Sequence, residues 1–148
     1  MNTENIKTTD EAQIRDFIAE HVEAIRNKDI GKAIAHYADD VVLFDVVGPL
    51  QQKGAKMLRQ RLEDWFSSFE GAIGFEIKDL NMAIGDNAGF CFSFNHVSAT
   101  TKDGGKLDMW WRETLGWQRI NGQWLVTQAH SSVPFDATNG KGSVALKP

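Results

Sequence analysis

The sequence predicts an α+β domain in which three N-terminal helices pack on an antiparallel β-sheet. Two observations carry this. Ahead of Gly71, apolar residues recur mainly at helical spacing, whereas residues 73–84, 88–101, 106–120 and 123–135 are β-rich. Short tight-turn signals, Gly85-Asp86-Asn87, Asp103-Gly104-Gly105 and Asn121-Gly122, separate those four segments. Strands joined by such turns form an antiparallel meander, and helices preceding it cover one of its faces.

The elements follow in order. Thr8-Thr9-Asp10-Glu11 has the spacing of a capping box, which predicts a helix start there. Ile14, Phe17, Ile18, Val22 and Ile25 then form one apolar face, and His21 falls on it. Asp29 is placed to cap a second, shorter helix carrying Ile30, Ala33, Ile34 and Tyr37. The run Val41-Val42-Leu43-Phe44-Asp45-Val46-Val47 reads as a strand buried on both faces, with one carboxylate in its middle. Burying that carboxylate without a partner costs several kcal/mol, so Asp45 needs a reason. Gly48-Pro49 breaks the strand. A third helix runs from about Ala55 to Phe69, with Met57, Leu58, Arg61, Leu62, Trp65, Phe66 and Phe69 along one side. Residues 1–7 and the Gly-rich tail after Asp136 read as loose ends on a single domain, 1–148, whose core spans about 9–136.

Composition narrows the function. With 42% hydrophobic and 24% charged residues the chain has the balance of an ordinary globular protein. Net charge is −4 and Lys and Arg form no stripe, which argues against a nucleic-acid partner. The single cysteine, Cys91, excludes an intrachain disulfide and a four-cysteine zinc site; in an apolar strand it reads as a buried inert thiol. His21, His36, His96 and His130 lack ligand spacing, so no metal is expected. Gly104-Gly105 is a hairpin tip and no Gly-rich phosphate loop is present, so no cofactor is expected. The polar N-terminus is unlike a signal peptide and no apolar run approaches membrane-span length. A cytoplasmic protein without a membrane partner is the expectation.

Two segments resemble a known group. Tyr37-Ala38-Asp39-Asp40, Phe44-Asp45 and Val47-Gly48 closely resemble the part of ketosteroid isomerases that ends in their catalytic base. Arg112-x-Thr114, Gly122-x-Trp124 and His130-x-Ser132-x-Pro134-Phe135 are similar to a pattern of SnoaL-like (polyketide cyclase) proteins. Over residues 9–136 the chain thus resembles the nuclear transport factor 2-like superfamily, which implies a cone-shaped fold with a strongly bent sheet. That superfamily hosts isomerases, cyclases, dehydratases, hydrolases and non-catalytic binding modules, so fold alone does not choose among them. The resemblance implies that Asp45 matches the isomerase base and that His21 stands where the isomerases carry an oxyanion-stabilising tyrosine. No aspartate matches their second, neutral acid; Arg112 and Thr114 are the nearest polar residues.

The candidate residues each have two readings. Asp45 is either a strand-end aspartate accepting backbone bonds or a general base at a pocket mouth. His21 is either a satisfied core histidine or a group pointing at Asp45 and sharing a proton with it. Arg112 and His130 depend on the Asn121-Gly122 turn. A two-residue type I′ hairpin sets His130 opposite Glu113, whereas a three-residue loop with a bulge sets His130 opposite Arg112 and Gln128 opposite Thr114. The second register is preferred. It gathers Trp110, Arg112, Thr114, Gln128, His130 and Ser132 on one face, expected to be the concave one. Trp65, Phe92, Phe94 and Trp110 are either apolar pocket walls or plain core.

Two function classes follow. One is a cofactor-free enzyme acting on a small apolar molecule with a carbonyl or enolisable carbon, Asp45 moving a proton while His21, Arg112 or His130 steadies the oxygen. The other is a non-catalytic binding or assembly module on the same fold. The row Met109, Trp111, Leu115 and Trp117 is expected to form a homodimer face, since a two-fold contact buries the same patch on both copies.

Overall fold

The computed structural model describes residues 3–148. Three helices, α1 (Thr3–Arg26), α2 (Ile30–Ala33) and α3 (Ala55–Ser67), accompany six strands: β1 (Tyr37–Phe44), β2 (Gln52–Lys53), β3 (Phe69–Ile84), β4 (Ala88–Thr101), β5 (Lys106–Ile120) and β6 (Gln123–Ser132). One curved sheet has the order β2-β1-β6-β5-β4-β3. The predicted meander, β3 to β6, is antiparallel throughout, and β1 joins its β6 edge as the one parallel pair. The helices lie on the concave face, with α1 against β3 and α3 against β1.

Local chemistry explains the boundaries. Helix α1 begins at Thr3, so the Thr8–Glu11 spacing lies inside it rather than at its start, and residues 3–7 are helical rather than loose. Thr3-Glu4-Asn5-Ile6-Lys7 contains no Gly or Pro, so nothing stops the helix from extending. Asp29 caps α2 as expected, its Oδ1 accepting from the Lys32 N–H at 3.1 Å, but the helix ends at Ala33, and Tyr37, expected on it, opens β1. Strand β1 is buried on one face only, not both: Val41 and Leu43 are inside while Phe44 is 38% exposed. Asp45 comes one residue after the strand. Beyond β6, an isolated Phe135–Gly142 bridge and an Asp136–Thr138 turn order part of the tail.

The last hairpin follows neither predicted register. Asn121 and Gly122 both have positive φ, 50° and 79°, as a two-residue type I′ turn requires, and Ile120 pairs with Gln123. A bulge then adds one residue to β6 between the Trp117–Val126 and Gly116–Gln128 pairs. His130 therefore lies opposite Thr114, Gln128 opposite Gly116, and Arg112 opposite Ser132.

Two apolar clusters form the core. One gathers Ile14, Ile18, Val41, Leu43, Trp117, Trp124 and Val126; the other gathers Ile25, Phe66, Phe69, Ile73, Phe75 and Val97. The main cavity takes lining residues from both, Leu43 and Leu58 from the first and Ile25, Phe75 and Val97 from the second.

Candidate active site

Strand parity decides what lines the cavity. Along β5, Leu107, Met109, Trp111, Glu113, Leu115 and Trp117 face the helices. That row was expected to be an exposed dimer face. It is the interior, because these are the residues that gain most by leaving water. The polar row lies outside: Arg112, Thr114 and His130 are exposed, and Arg112 Nε donates to Ser132 Oγ at 3.1 Å. Trp110 stacks on His96, 4.4 Å between ring centroids. Phe92 is 46% exposed, and Phe94 pairs with Arg112 on the same outer side. Gln128 sits at the bulge, its amide bonded to the Ala129 carbonyl. Of the ten candidate residues, Asp45, His21 and Trp65 line the main cavity.

That cavity is about 440 Å³, within the range that holds a small organic ligand. Trp65, Phe75, Trp111, Met109, Leu62 and Leu107 contribute apolar walls, and Trp111 packs edge-on against Trp65. Polar groups enter at two places. Asp45 and Arg61 form one, joined by an Arg61 Nε to Asp45 Oδ2 bond of 2.9 Å, while Asp45 Oδ1 accepts from the Val46 N–H at 2.7 Å. Asp45 thus pairs with Arg61 of α3, and His21, bonded to the Ala33 carbonyl, follows its reading as a satisfied core histidine rather than as a partner of Asp45. The second group is His21, Asn95, Glu113 and Ser131.

Glu113 is the residue that reading along the chain passed over, though it stands between Arg112 and Thr114. Across three strands Ser93, Glu113 and Ser131 are directly paired, so their side chains meet on the concave face. Asn95 Nδ2 donates to Glu113 Oε1 at 3.1 Å and Ser131 Oγ to Oε2 at 3.2 Å; Ser93 Oγ holds Asn95 Oδ1 at 2.7 Å. Burial pushes the Glu113 carboxyl above the usual carboxylate range against the pull of those two bonds, and the Asp45 charge pushes the same way. A signal for it did exist: Glu113 is the single carboxylate in an otherwise apolar alternating row, the same anomaly that marks Asp45.

His21 is held differently from a tyrosine hydroxyl. Its Nδ1 lies 2.7 Å from the Ala33 carbonyl, which can only accept, so Nδ1 carries the proton. Burial lowers its pKa, partly offset by that bond, and nearby His36 lowers it further. A neutral ring in this tautomer presents an Nε2 lone pair, so it accepts or takes up a proton and does not steady an oxyanion. Tyr37 lies beside it, ring centroids 5.8 Å apart, and burial raises its hydroxyl pKa. Cys91 is buried beneath Trp117, whose Nε1–H points to its sulfur at 3.3 Å; burial pushes the thiol to about 11. Among the described residues no cluster of His, Cys, Asp or Glu is placed to hold a metal ion, and no helix is long and apolar enough to cross a membrane.

The Asp45–Arg61 pair gives a stability prediction. Asp45→Asn should lower the melting temperature by about 3–6 °C, since a partly enclosed charge-assisted bond contributes roughly 1–2 kcal/mol and Arg61 is left facing an amide. Differential scanning calorimetry of the two proteins at pH 7 checks it.

A curved six-stranded sheet closed by helices over a cavity is the nuclear transport factor 2-like architecture. The sequence profile of the SnoaL-like domain matches residues 14–136, and the chain belongs to that family. No curated protein matches the chain. Among solved structures, a nuclear transport factor 2-like protein of unknown function from Pseudomonas putida KT2440 is 33% identical with a TM-score of 0.85, over 95% of this chain and 98% of that one. A superfamily protein from Salmonella enterica serovar Typhimurium is 17% identical with a TM-score of 0.79, over 93% and 99%. A ketosteroid isomerase-like protein from Erwinia carotovora is 23% identical with a TM-score of 0.69, over 82% and 93%.

Proposed function

We propose that this SnoaL-like protein binds a small, uncharged, largely apolar molecule bearing a carbonyl group and moves a proton on it, as an isomerase, cyclase or lyase does. The observation that carries this is the buried Glu113 carboxyl, held by Asn95 and Ser131, opening into the same apolar cavity as Asp45. Glu113, whose burial favours the neutral acid, donates its O–H to the carbonyl oxygen. Asp45 takes the proton from the adjacent carbon, and the released electron pair is stabilised on that oxygen. Asp45 and Arg61 offset each other's charge and Glu113 favours neutrality, which is why an uncharged ligand is preferred. Trp65 and Trp111 supply flat walls for it.

The second reading is binding without turnover. It is favoured by the Asp45–Arg61 pair, which with Val46 N–H engages both carboxylate oxygens. One experiment separates the two. Native mass spectrometry against small cyclic and aromatic ketones selects a ligand, and NMR in D₂O follows exchange of its α-hydrogens. Enzyme-dependent exchange supports proton transfer; binding without exchange supports the second reading; absence of any ligand defeats both.

A two-fold homodimer is also proposed, through the outer sheet face. Phe44, Phe90 and Phe92 are 38%, 47% and 46% exposed, and Phe90 stacks with Phe92. Phe44 packs edge-on against His130, which with Thr114 stands between it and Phe92, but the helices cover only the concave side and leave the Phe90–Phe92 pair to solvent, where exposed apolar groups mark interfaces.

A further inference from the structure

A second, much smaller cavity lies behind the main one. Its volume is about 20 Å³, and His21, Tyr37 and Glu113 line both spaces. Ser93 lines the small one as well, and its apolar walls include Ile18, Leu80 and Cys91. About 10–15 Å³ suffices for one water, provided two to four polar groups face it; a purely apolar hole of that size stays empty. Here the polar groups are of complementary kinds. His21 Nε2 offers a lone pair because Nδ1–H is committed to the Ala33 carbonyl. Tyr37 offers a hydroxyl that has no hydrogen-bond partner among the described residues. Ser93 Oγ spends its proton on Asn95 and keeps acceptor capacity, and Glu113 offers carboxyl oxygens. His21, Tyr37 and Glu113 lie deep in the protein yet remain only half-buried, because part of their surface faces these cavities.

We infer that the small cavity, which Lys32 and His36 also line, is a binding site for a single ordered water that bridges His21 to Glu113, with Tyr37 and Ser93 beside it. The water donates one hydrogen bond to His21 Nε2 and one to a Glu113 carboxyl oxygen, which leaves the Glu113 O–H for a ligand. When Glu113 gives its proton to a ligand oxygen, the water's O–H steadies the carboxylate left behind, and Glu113 recovers the proton from that oxygen as the carbonyl re-forms. His21 is then a positioning residue, holding the water that acts on Glu113 rather than touching the ligand. The catalytic consequence rests on the proton-transfer reading above; the water site does not.

The test therefore has two arms. Oxygen-17 magnetic relaxation dispersion on the ligand-free protein counts long-lived internal waters. Wild type is expected to hold one that disappears in Leu80→Phe, which fills the small cavity from its apolar wall. Leu80→Met, a volume-conserving exchange, serves as the second variant should Leu80→Phe fail to fold, and is expected to keep the water. A crystal structure at atomic resolution should place that water within hydrogen-bond reach of His21 Nε2. A dispersion no larger in wild type than in folded Leu80→Phe, or an empty cavity in the crystal, overturns the site. The second arm uses the ketone exchange assay. Leu80→Phe should exchange about tenfold or more slowly with ligand affinity unchanged, since positioned proton transfer contributes about 10²–10⁴-fold. Unchanged exchange in a variant shown to lack the water overturns this role of the water. If no ketone exchanges in wild type, the proton-transfer reading fails while the first arm still decides the water site.

Discussion

Trp117→Glu is expected to abolish folding, whereas Phe92→Glu is expected to leave a folded monomer. Trp117 is 3% exposed, belongs to the core with Ile14, Trp124 and Val126, and donates its indole N–H to Cys91. Removing a buried aromatic costs about 3–5 kcal/mol from the cavity alone. A carboxylate in its place adds an uncompensated buried charge. Total stability of a domain is only about 5–15 kcal/mol, so little or none is left. Phe92 sits on the opposite side of the sheet, half in water, where a charge costs the monomer little but places like charges together across a two-fold axis. Circular dichroism and multi-angle light scattering at micromolar concentration check both. A monomeric wild type would remove the dimer proposal; a folded Trp117→Glu would contradict the interior position of that row.

Glu113→Gln is expected to slow proton transfer by about 100-fold or more, because an amide cannot supply the acid proton, while making the fold less sensitive to a rise of pH above 4.5. The sign follows from linkage. An ordinary glutamate has a pKa of 4.5 and burial raises that of Glu113 in the folded chain. Between 4.5 and the folded value, the folded state holds a proton that the unfolded state has released, so wild-type stability falls as pH rises through that window. Glutamine has no such proton. The melting temperature of the variant relative to wild type should therefore climb as pH increases above 4.5. His21 contributes with the opposite sign. Its folded pKa lies below 6.5, so its share is complete above that value and is lost as pH falls through it. Both proteins carry His21, so this share largely cancels in the difference. Melting curves from pH 4 to 9 check the prediction; a difference independent of pH would show that Glu113 is not held towards its neutral form.

The chain by itself determined the order and type of the three helices and the five long strands, though not of the two-residue β2. The Asp29 cap, the Gly48-Pro49 break after β1 and the three turns between long β segments are local signals, set by backbone conformations and capping bonds that nearby residues satisfy. The anomaly of Asp45 was equally local: a carboxylate in an apolar run. Only the tertiary structure decided which β5 row faces inward and who partners whom. A strand's two rows differ by one residue, and a single bulge in β6, which no turn residue announces, moved every partner of β5 beyond it. Once that register is set, Arg112 and His130 lie outside, and Glu113 falls between Ser93 and Ser131 beneath the helices. Arg61 and Asp45 are sixteen residues apart and on different elements, so no spacing rule links them. His21 was visible from the start, but its tautomer depends on the Ala33 carbonyl, whose position is fixed only when α2 turns back beside α1. Proton placement at this site is thus a property of contacts distant in sequence, because burial and hydrogen-bond partners set it, and both exist only in the folded chain.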